Sequence, residues 1–139
     1  MDAQGNEVTV SFHTAKAIPP EALKELYDSQ PWWPERRIPE LQQVLESFPA
    51  VGAWDGEKLI GFARAVTDYE FRAYIEDVLV LEGYREKGVG TRMLNLLTAS
   101  LNEIDVITLF CQRKLVPYYE SLGFKELTRQ VVMQKRNTR

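Results

Sequence analysis

The stretch YREKGVGTRM (Tyr84–Met93) follows directly after the apolar run VLVL (Val78–Leu81). An apolar run, a turn containing Gly88 and Gly90, and a segment with helical apolar spacing predict a strand that turns tightly into a helix. The N-terminus of such a helix presents unpaired N–H groups and a partial positive charge, so it attracts anions. Three cations lie close by in the sequence: Arg85, Lys87 and Arg92. The stretch therefore predicts a phosphate or pyrophosphate site and leaves the ligand open.

Two common phosphate motifs fail at particular residues. A dinucleotide fingerprint needs a third glycine where Met93 stands, and a P-loop needs Lys and then Ser or Thr where Val89 and Gly90 stand. A third pattern, Arg or Gln followed by x-x-G-x-[GA], matches residues 85–90 in full. This segment resembles the acetyl-CoA pyrophosphate loop of the GNAT superfamily of N-acyltransferases. A glycine-softened turn between a strand and a helix is the structural alternative.

The surrounding sequence adds to the resemblance. Members of the superfamily precede the loop with a strand of alternating valines and then an aromatic residue, as Val78, Val80 and Tyr84 do here. They also carry a later Y-E-x-x-G-F motif, which residues 119–124 match. Three segments are similar to the glucosamine-6-phosphate and arylalkylamine acetyltransferase branch: YIEDVLV (74–80), YYESLGF (118–124) and VVMQKR (131–136).

The periodicity of the chain predicts an α/β (α+β) fold. Strands are predicted at 7–12, 50–54, 58–66, 73–81, 106–110, 124–126 and 131–135, and helices at 21–29, 39–48, 88–102 and 116–122. The strands at 73–81 and 106–110 flank a crossover helix and should be parallel, the second in the interior of the sheet, whereas hairpin-linked strands are antiparallel. The prediction is a GNAT-type mixed, mostly antiparallel sheet of about six to seven strands, with a central parallel pair and helices on both faces.

Composition indicates one domain, residues 1–139, of an ordinary soluble protein. The net charge of −3 argues against nucleic-acid binding, and no apolar run reaches the ~20 residues of a membrane helix. The polar stretch MDAQGNEVTV is unlike a signal peptide, and a single cysteine fits a reducing cytoplasm. His13 and Cys111 are too few for a metal cluster and are interpreted as structural, Cys111 at the end of a buried strand.

The resemblance implies acetyl-CoA as co-substrate and no metal. By that analogy the backbone of Val78, Leu79 and Val80 pairs with the pantetheine arm, in a cleft where this strand splays from its parallel neighbour. The backbone amides of the loop would hold the pyrophosphate: Arg85, Glu86, Lys87, Gly88, Val89, Gly90 and Thr91. The Arg85 side chain is an expected cationic partner. Gln112 stands where the family often has Asn, so no contact is carried over to it.

The resemblance also implies catalytic roles. Tyr119 matches the general acid that protonates the CoA thiolate, and a phenol with a pKa of ~10 can donate a proton at neutral pH. A core tyrosine is the alternative. Glu76 and Asp77 stand side by side in an otherwise apolar strand, where charges are costly unless they are paired or used.

Glu76 is favoured as the base, acting directly or through water, whereas Asp77 is expected to orient the backbone or contact the acceptor. Neighbours on a strand face opposite sides unless a bulge intervenes. The alternative is a pair of salt-bridged edge carboxylates.

The acceptor site is expected in the segment between the first two helices, residues 30–37. Trp32 and Trp33 are the candidate substrate-binding residues, because adjacent tryptophans can cover an apolar or cationic amine. Arg36 and Arg37 could instead bind an anionic group. The alternative is that one tryptophan anchors the loop on the core.

The sequence therefore predicts a cytoplasmic, acetyl-CoA-dependent N-acetyltransferase that acts on the primary amine of a small molecule by direct attack in a ternary complex. A protein or peptide N-acetyltransferase and a non-catalytic CoA-binding regulatory domain are the alternatives. The expected partners are the small-molecule amine and, in a possible homodimer, a second copy of the chain. Nucleic acid and membrane are not expected partners.

Overall fold

The computed structural model describes residues 7–30 and 35–137. Within these ranges the chain forms five strands: β1 (Thr9–Phe12), β2 (Ala50–Asp55), β3 (Lys58–Thr67), β4 (Arg72–Val80) and β5 (Val106–Leu109). It also forms four α-helices: α1 (Pro20–Asp28), α2 (Ile38–Ser47), α3 (Val89–Ala99) and α4 (Val116–Ser121). A 3₁₀ turn, Arg113–Leu115, precedes α4. Up to α4, this order of elements is the predicted one.

Local chemistry explains where the elements begin. Helices α1, α2 and α4 each have proline in their first turn, where the missing N–H has no intrahelical partner to lose. The N–H of Arg37 also donates to Glu40 Oε1 (2.9 Å), which caps α2. Gly56 has a φ of +60°, the left-handed conformation that the tight β2–β3 hairpin requires.

The five strands form one sheet in the order β1-β2-β3-β4-β5. The first three pairings are antiparallel, and β4 with β5 is parallel, as the crossover through α3 requires. The parallel pairing is short: it runs from Arg72 opposite Val106 to Ile75 opposite Leu109. Beyond Ile75, β4 continues for five more residues without β5 beside it.

Helices pack on both faces of the sheet. Phe62 of β3 belongs to a buried cluster with residues of α1 and α2, among them Leu23, Leu26 and Leu41. The adjacent Gly61 faces the other way, because a Cβ placed on it would lie 3.2 Å from the sulfur of Met93 in α3. The predicted stripe of α3 is buried: Met93, Leu94, Leu97 and Leu101.

Two parts of the predicted sheet are wrong. The segments 124–126 and 131–135 lie outside any strand, so the described sheet has five strands rather than six or seven. For the same reason β5 is an edge strand of the described sheet and not an interior one, with Val106 exposed. A strand needs a hydrogen-bonded neighbour, and local apolar alternation cannot supply one.

The chain divides into two compact units, one ending at Leu109 and one beginning at Phe110. In the second unit, the N–H of Phe124 donates to the carbonyl of Tyr119 (3.1 Å), and Gly123 has a φ of +94°, which together end α4 as the sequence predicts. Cys111 is exposed, so its predicted place at the end of a buried strand is wrong.

Candidate active site

A β-bulge places the two acidic residues of β4. Arg64 of β3 pairs with Glu76, and Ala63 pairs with Val78, so Asp77 is the extra residue on β4. Asp77 has a φ of +55°, a left-handed conformation that costs an ordinary residue roughly 1–2 kcal/mol. The bulge interrupts the alternation of side chains along the strand. As a result, the carboxyl groups of Glu76 and Asp77 lie within hydrogen-bonding reach of each other.

Asp77 is enclosed in a network of cations and a phenol. Its Oδ2 accepts hydrogen bonds from the Tyr27 hydroxyl of α1 and from Arg64 Nε (2.8 Å). The Nη1 of Arg36 lies 3.6 Å from the same oxygen, and the Arg36 guanidinium covers the Tyr27 ring at 4.8 Å. The Asp77 side chain has no exposed surface. Its predicted contact with the acceptor stays a prediction.

The network perturbs the groups around it. Burial, and then the Asp77 charge, raises the pKa of the Tyr27 hydroxyl well above its usual range, so this phenol stays protonated. Burial alone would lower the pKa of Arg64, but the charge and the hydrogen bond of Asp77 outweigh it and raise that pKa. Tyr27 and Arg64 therefore act as fixed donors to one carboxylate oxygen.

Glu76 differs from Asp77 in its surroundings. It is half-buried, and within the described ranges no lysine or arginine forms an ion pair with it. Burial, and then the neighbouring Asp77, raises the pKa of the Glu76 carboxyl, against the hydrogen bond from Tyr74 and the charge of Arg64. Burial and the contact with Glu76 in turn raise the pKa of Tyr74 to about 12. Glu76 is thus a carboxylate with an increased affinity for a proton.

The far half of β4 offers open backbone. Within the described sheet, the strand from Glu76 to Val80 has β3 on one side and no strand on the β5 side. The predicted pantetheine partners Val78, Leu79 and Val80 all lie on this stretch. The pairing with β5 ends at Ile75, and the splayed cleft that the resemblance implies stays a prediction. The carbonyl of Val80, however, accepts a hydrogen bond from Arg85 Nε (2.9 Å).

The glycine loop leads from β4 to an uncapped helix. Glu86 and Gly88 have φ values of +63° and +80°, with a residue of negative φ between them, a pattern that turns successive amides toward one side. No side chain caps α3, whose N-cap is Gly88. A Cβ on Gly88 would meet no atom within 4 Å. The backbone at Gly88 is therefore open to a ligand, within the segment where the sequence predicts the pyrophosphate.

The Arg85 side chain makes two hydrogen bonds within the protein. Besides Val80, it donates through Nη2 to the Oε1 of Gln30 (2.9 Å), a residue that is only 4% exposed. Gln30 lies just after α1, at the start of the predicted acceptor segment. Arg85 thus ties the loop to β4 and to the end of α1. Its predicted side-chain contact with a phosphate stays a prediction.

Other predicted residues are placed as follows. Tyr119 lies in the second unit, edge-to-face with Tyr118 at 5.0 Å and with Phe124 at 6.0 Å. Burial, and then Tyr118, raises the pKa of its hydroxyl, so it keeps its proton at neutral pH. Trp32 and Trp33 lie outside the described residues. His13 has a structural contact, because its Nδ1 accepts a hydrogen bond from the N–H of Ile18 (2.9 Å).

Sequence reasoning missed Tyr27, Arg64 and Gln30. Arg64 gave a usable signal, since it is a lone charge in the apolar strand KLIGFARAV, just as Glu76 and Asp77 are in theirs. Tyr27 and Gln30 gave no such signal, because a tyrosine in an amphipathic helix and a glutamine just after its end are ordinary.

Across residues 7–30 and 35–137, no group of three or more His, Cys, Asp or Glu side chains is arranged to hold a metal ion. In the same part of the chain, no helix has both the length and the apolar character needed to cross a membrane.

Comparison with known proteins identifies the family. The model of the acetyltransferase (GNAT) family matches residues 17–124. The histone acetyltransferase TAP1 of Glycine max is 34% identical over 107 residues, covering 67% of this chain and 46% of that protein. An uncharacterized N-acetyltransferase, ycf52, of Gracilaria tenuistipitata var. liui is 38% identical over 131 residues, covering 89% and 71%. The chain belongs to the GNAT acetyltransferase family, and its match spans less than half of the soybean relative.

Solved structures show the same fold. A GNAT family acetyltransferase from Streptococcus pneumoniae TIGR4 superposes with a TM-score of 0.81 at 24% identity, covering 96% of this chain and all of that one. The aminoglycoside N-acetyltransferase AAC(6′)-Iy in complex with CoA gives 0.72 at 16% identity, covering 99% and 100%. The glucosamine-6-phosphate N-acetyltransferase of Arabidopsis thaliana gives 0.69 at 15% identity, covering 91% and 98%. The similarity to that branch is therefore distant and structural.

Proposed function

We propose that this protein is an acetyl-CoA-dependent N-acetyltransferase that transfers the acetyl group to the primary amine of a small molecule by direct attack in a ternary complex. The observation that carries the proposal is the open edge of β4 from Glu76 to Val80. It begins at a carboxylate of raised pKa and ends at a glycine loop that opens a helix. One strand thus connects a candidate base to a candidate phosphate cradle.

The residues present fit the cofactor. Extended backbone without a strand partner can pair with the amides of a pantetheine arm, as a β-sheet edge pairs with an added strand. The loop from Glu86 to Thr91 suits a pyrophosphate, because it combines the N–H groups of an uncapped helix N-terminus with the open backbone of Gly88. When bound, acetyl-CoA supplies the activated acyl group as a thioester.

Glu76 is the proposed base. An alkyl ammonium must lose a proton before its nitrogen can attack, and a carboxylate of raised pKa accepts that proton more readily than an ordinary one. Glu76 acts in its ionised form, so the rate falls as the pH drops through its raised pKa. Tyr119 is the proposed acid for the departing thiolate, on the motif and on its protonated phenol.

The acceptor is proposed to be a small amine, with Trp32 and Trp33 as candidate contacts. An open pocket of about 310 Å³ lies at the other end of β4, lined in part by Val66, Tyr74 and Thr108. Tyr74 also hydrogen-bonds with Glu76, so this pocket is a second place where the acceptor could extend. The name of the soybean relative favours one other acceptor class, a protein lysine or chain terminus. Homodimerisation and a cytoplasmic location stay predictions.

The first test is acetyl-CoA binding by calorimetry, followed by CoA release with a panel of amines that includes peptides. Binding together with turnover of a free amine is expected. Failure to bind at millimolar concentration would refute the proposal, binding without turnover would indicate a regulatory domain, and turnover of peptides alone would favour the protein-acetylating alternative.

The second test is Glu76→Gln. It should lower kcat by roughly 100-fold, because a general base contributes about that much, and leave acetyl-CoA affinity unchanged. Glu57→Gln is the matched control, since Glu57 lies in the β2–β3 turn with its side chain 96% exposed. An unchanged kcat in Glu76→Gln would remove Glu76 from the mechanism.

A further inference from the structure

We propose that Asp77 is a positioning residue for Glu76: fixed by Tyr27 and Arg64, it holds the bulge that turns Glu76 beside it, and its second oxygen accepts the hydrogen bond of Glu76 whenever Glu76 carries the proton. The inference rests on the proposed role of Glu76 as base. In this role the buried Asp77 acts on the reaction through Glu76 and does not touch the substrate.

The first support is that the two oxygens of Asp77 have different partners. Oδ2 accepts hydrogen bonds from Tyr27 and Arg64, and Arg36 lies nearby. Oδ1 is equally buried, yet no donor in the described ranges hydrogen-bonds to it. A buried acceptor without a donor has lost its hydration with nothing in return, so such a group marks a place where a donor is expected.

The second support is the neighbour that can supply this donor. The carboxyl group of Glu76 lies within hydrogen-bonding reach of Asp77. An ionised carboxylate has only acceptors, but a protonated one has one O–H donor. When Glu76 takes a proton from the acceptor ammonium, the N–H bond breaks and an O–H bond forms on Glu76. That O–H can then point to Oδ1, while Asp77 stays ionised against its cations.

The third support is the set of groups that face Glu76. Tyr74 and Asp77 face it from its own strand, and Arg64 faces it from β3. Tyr27 and Arg36 contact Asp77 from the side of α1 and α2. Strand β5, with the sequence VITL, carries no titratable side chain. Asp77 is thus the negative charge that opposes ionisation of Glu76, whereas Arg64 and Tyr74 favour it.

The test compares the acidic limb of the pH–rate profile in two variants that act in opposite directions. Asp77→Asn removes the charge but keeps the shape and tolerates the left-handed backbone. Its acidic limb should move to lower pH by roughly one unit, the size of shift that one close charge produces. Tyr27→Phe removes a donor from Oδ2 and keeps the ring, so the Asp77 charge is less neutralised and the limb should move to higher pH.

The two pH–rate profiles and the Glu76→Gln variant decide between the possibilities. Opposite shifts in the two variants support the inference. If Asp77→Asn folds and its acidic limb does not move, while Glu76→Gln is still inactive, the inference about Asp77 is overturned and the proposed base is kept. The same conclusion holds if Asp77→Asn changes only the thermal stability. If Asp77→Asn does not fold, an unmoved or lowered limb in Tyr27→Phe overturns the inference. Full activity of Glu76→Gln would instead refute the proposed function of Glu76 itself.

Discussion

Replacing Gly88 by alanine should have two separate effects: backbone strain lowers the stability of the fold, and the added methyl group weakens the binding of acetyl-CoA. Gly88 has a φ of +80°, so an L-residue there loses roughly 1–2 kcal/mol. For a chain of this size, each kcal/mol corresponds to a fall of about 3–4 °C in Tm. No atom lies within 4 Å of the added Cβ, so the variant should fold without a clash.

The cofactor is affected through the same open space. The methyl group would occupy the face of the loop that a pyrophosphate needs. The loss of one hydrogen bond to a charged group is worth about 1.5–3 kcal/mol, which corresponds to roughly a 10–100-fold rise in the Kd for acetyl-CoA. Calorimetric titration with acetyl-CoA measures this Kd, and a thermal melt without ligand measures the stability term.

Gly56 supplies the matched control. It also has a positive φ (+60°) and no atom within 4 Å of an added Cβ, but it lies in the β2–β3 turn. Gly56→Ala should lower Tm by a similar amount and leave the Kd unchanged. If Gly88→Ala binds acetyl-CoA as tightly as the unmodified protein, or if Gly56→Ala weakens binding equally, the loop is not the phosphate cradle.

Three other predictions concern Tyr119, the Arg85–Gln30 pair and Arg64. Tyr119→Phe should lower kcat by about 100-fold without changing acetyl-CoA affinity, because it removes only a proton donor, and an unchanged kcat would exclude the acid role. Arg85→Ala and Gln30→Ala should weaken acetyl-CoA binding non-additively in a double-mutant cycle, because the two side chains share one hydrogen bond; additive losses would show that Arg85 acts on the ligand alone. Arg64→Met should destabilise the fold by about 3–5 kcal/mol in denaturant unfolding, because it leaves the buried Asp77 charge less compensated, and a loss below 1 kcal/mol would contradict the network.

The parts of the fold that the sequence predicted are those specified locally. The β2–β3 hairpin follows from Asp55-Gly56, and α3 follows from a stripe of apolar residues that is buried in the structure. The segment 131–135 has a comparable apolar pattern, yet Val131 and Met133 are 85% and 88% exposed. Apolar residues that find no partner strand form no sheet, and the existence of a partner is not written in the segment itself.

In the candidate site, too, the sequence predicted what is encoded locally and missed what depends on distant residues. The motifs and the acidic pair were visible in the sequence because each occupies a few consecutive residues. The network around Asp77 was not, because Tyr27 is 50 residues and Arg64 is 13 residues away along the chain. Only the packing of α1 against β3 and β4 brings these three side chains together. The bulge, which no single residue encodes, turns the carboxyl groups of Glu76 and Asp77 toward each other.

Exclusion of water from β4 favours the proposed proton transfer from the amine to Glu76 by acting on both groups. Burial raises the pKa of Glu76, because the charged form loses hydration. The same burial lowers the pKa of any ammonium group brought beside it, for the same reason. Proton transfer from the amine to Glu76 removes two opposite charges from a half-buried site and produces the neutral nucleophile. The fixed charges of Asp77, Arg64 and Arg36 need not change during this step. The strand can therefore keep its buried network intact while only the exposed side of the carboxyl pair takes part in the reaction.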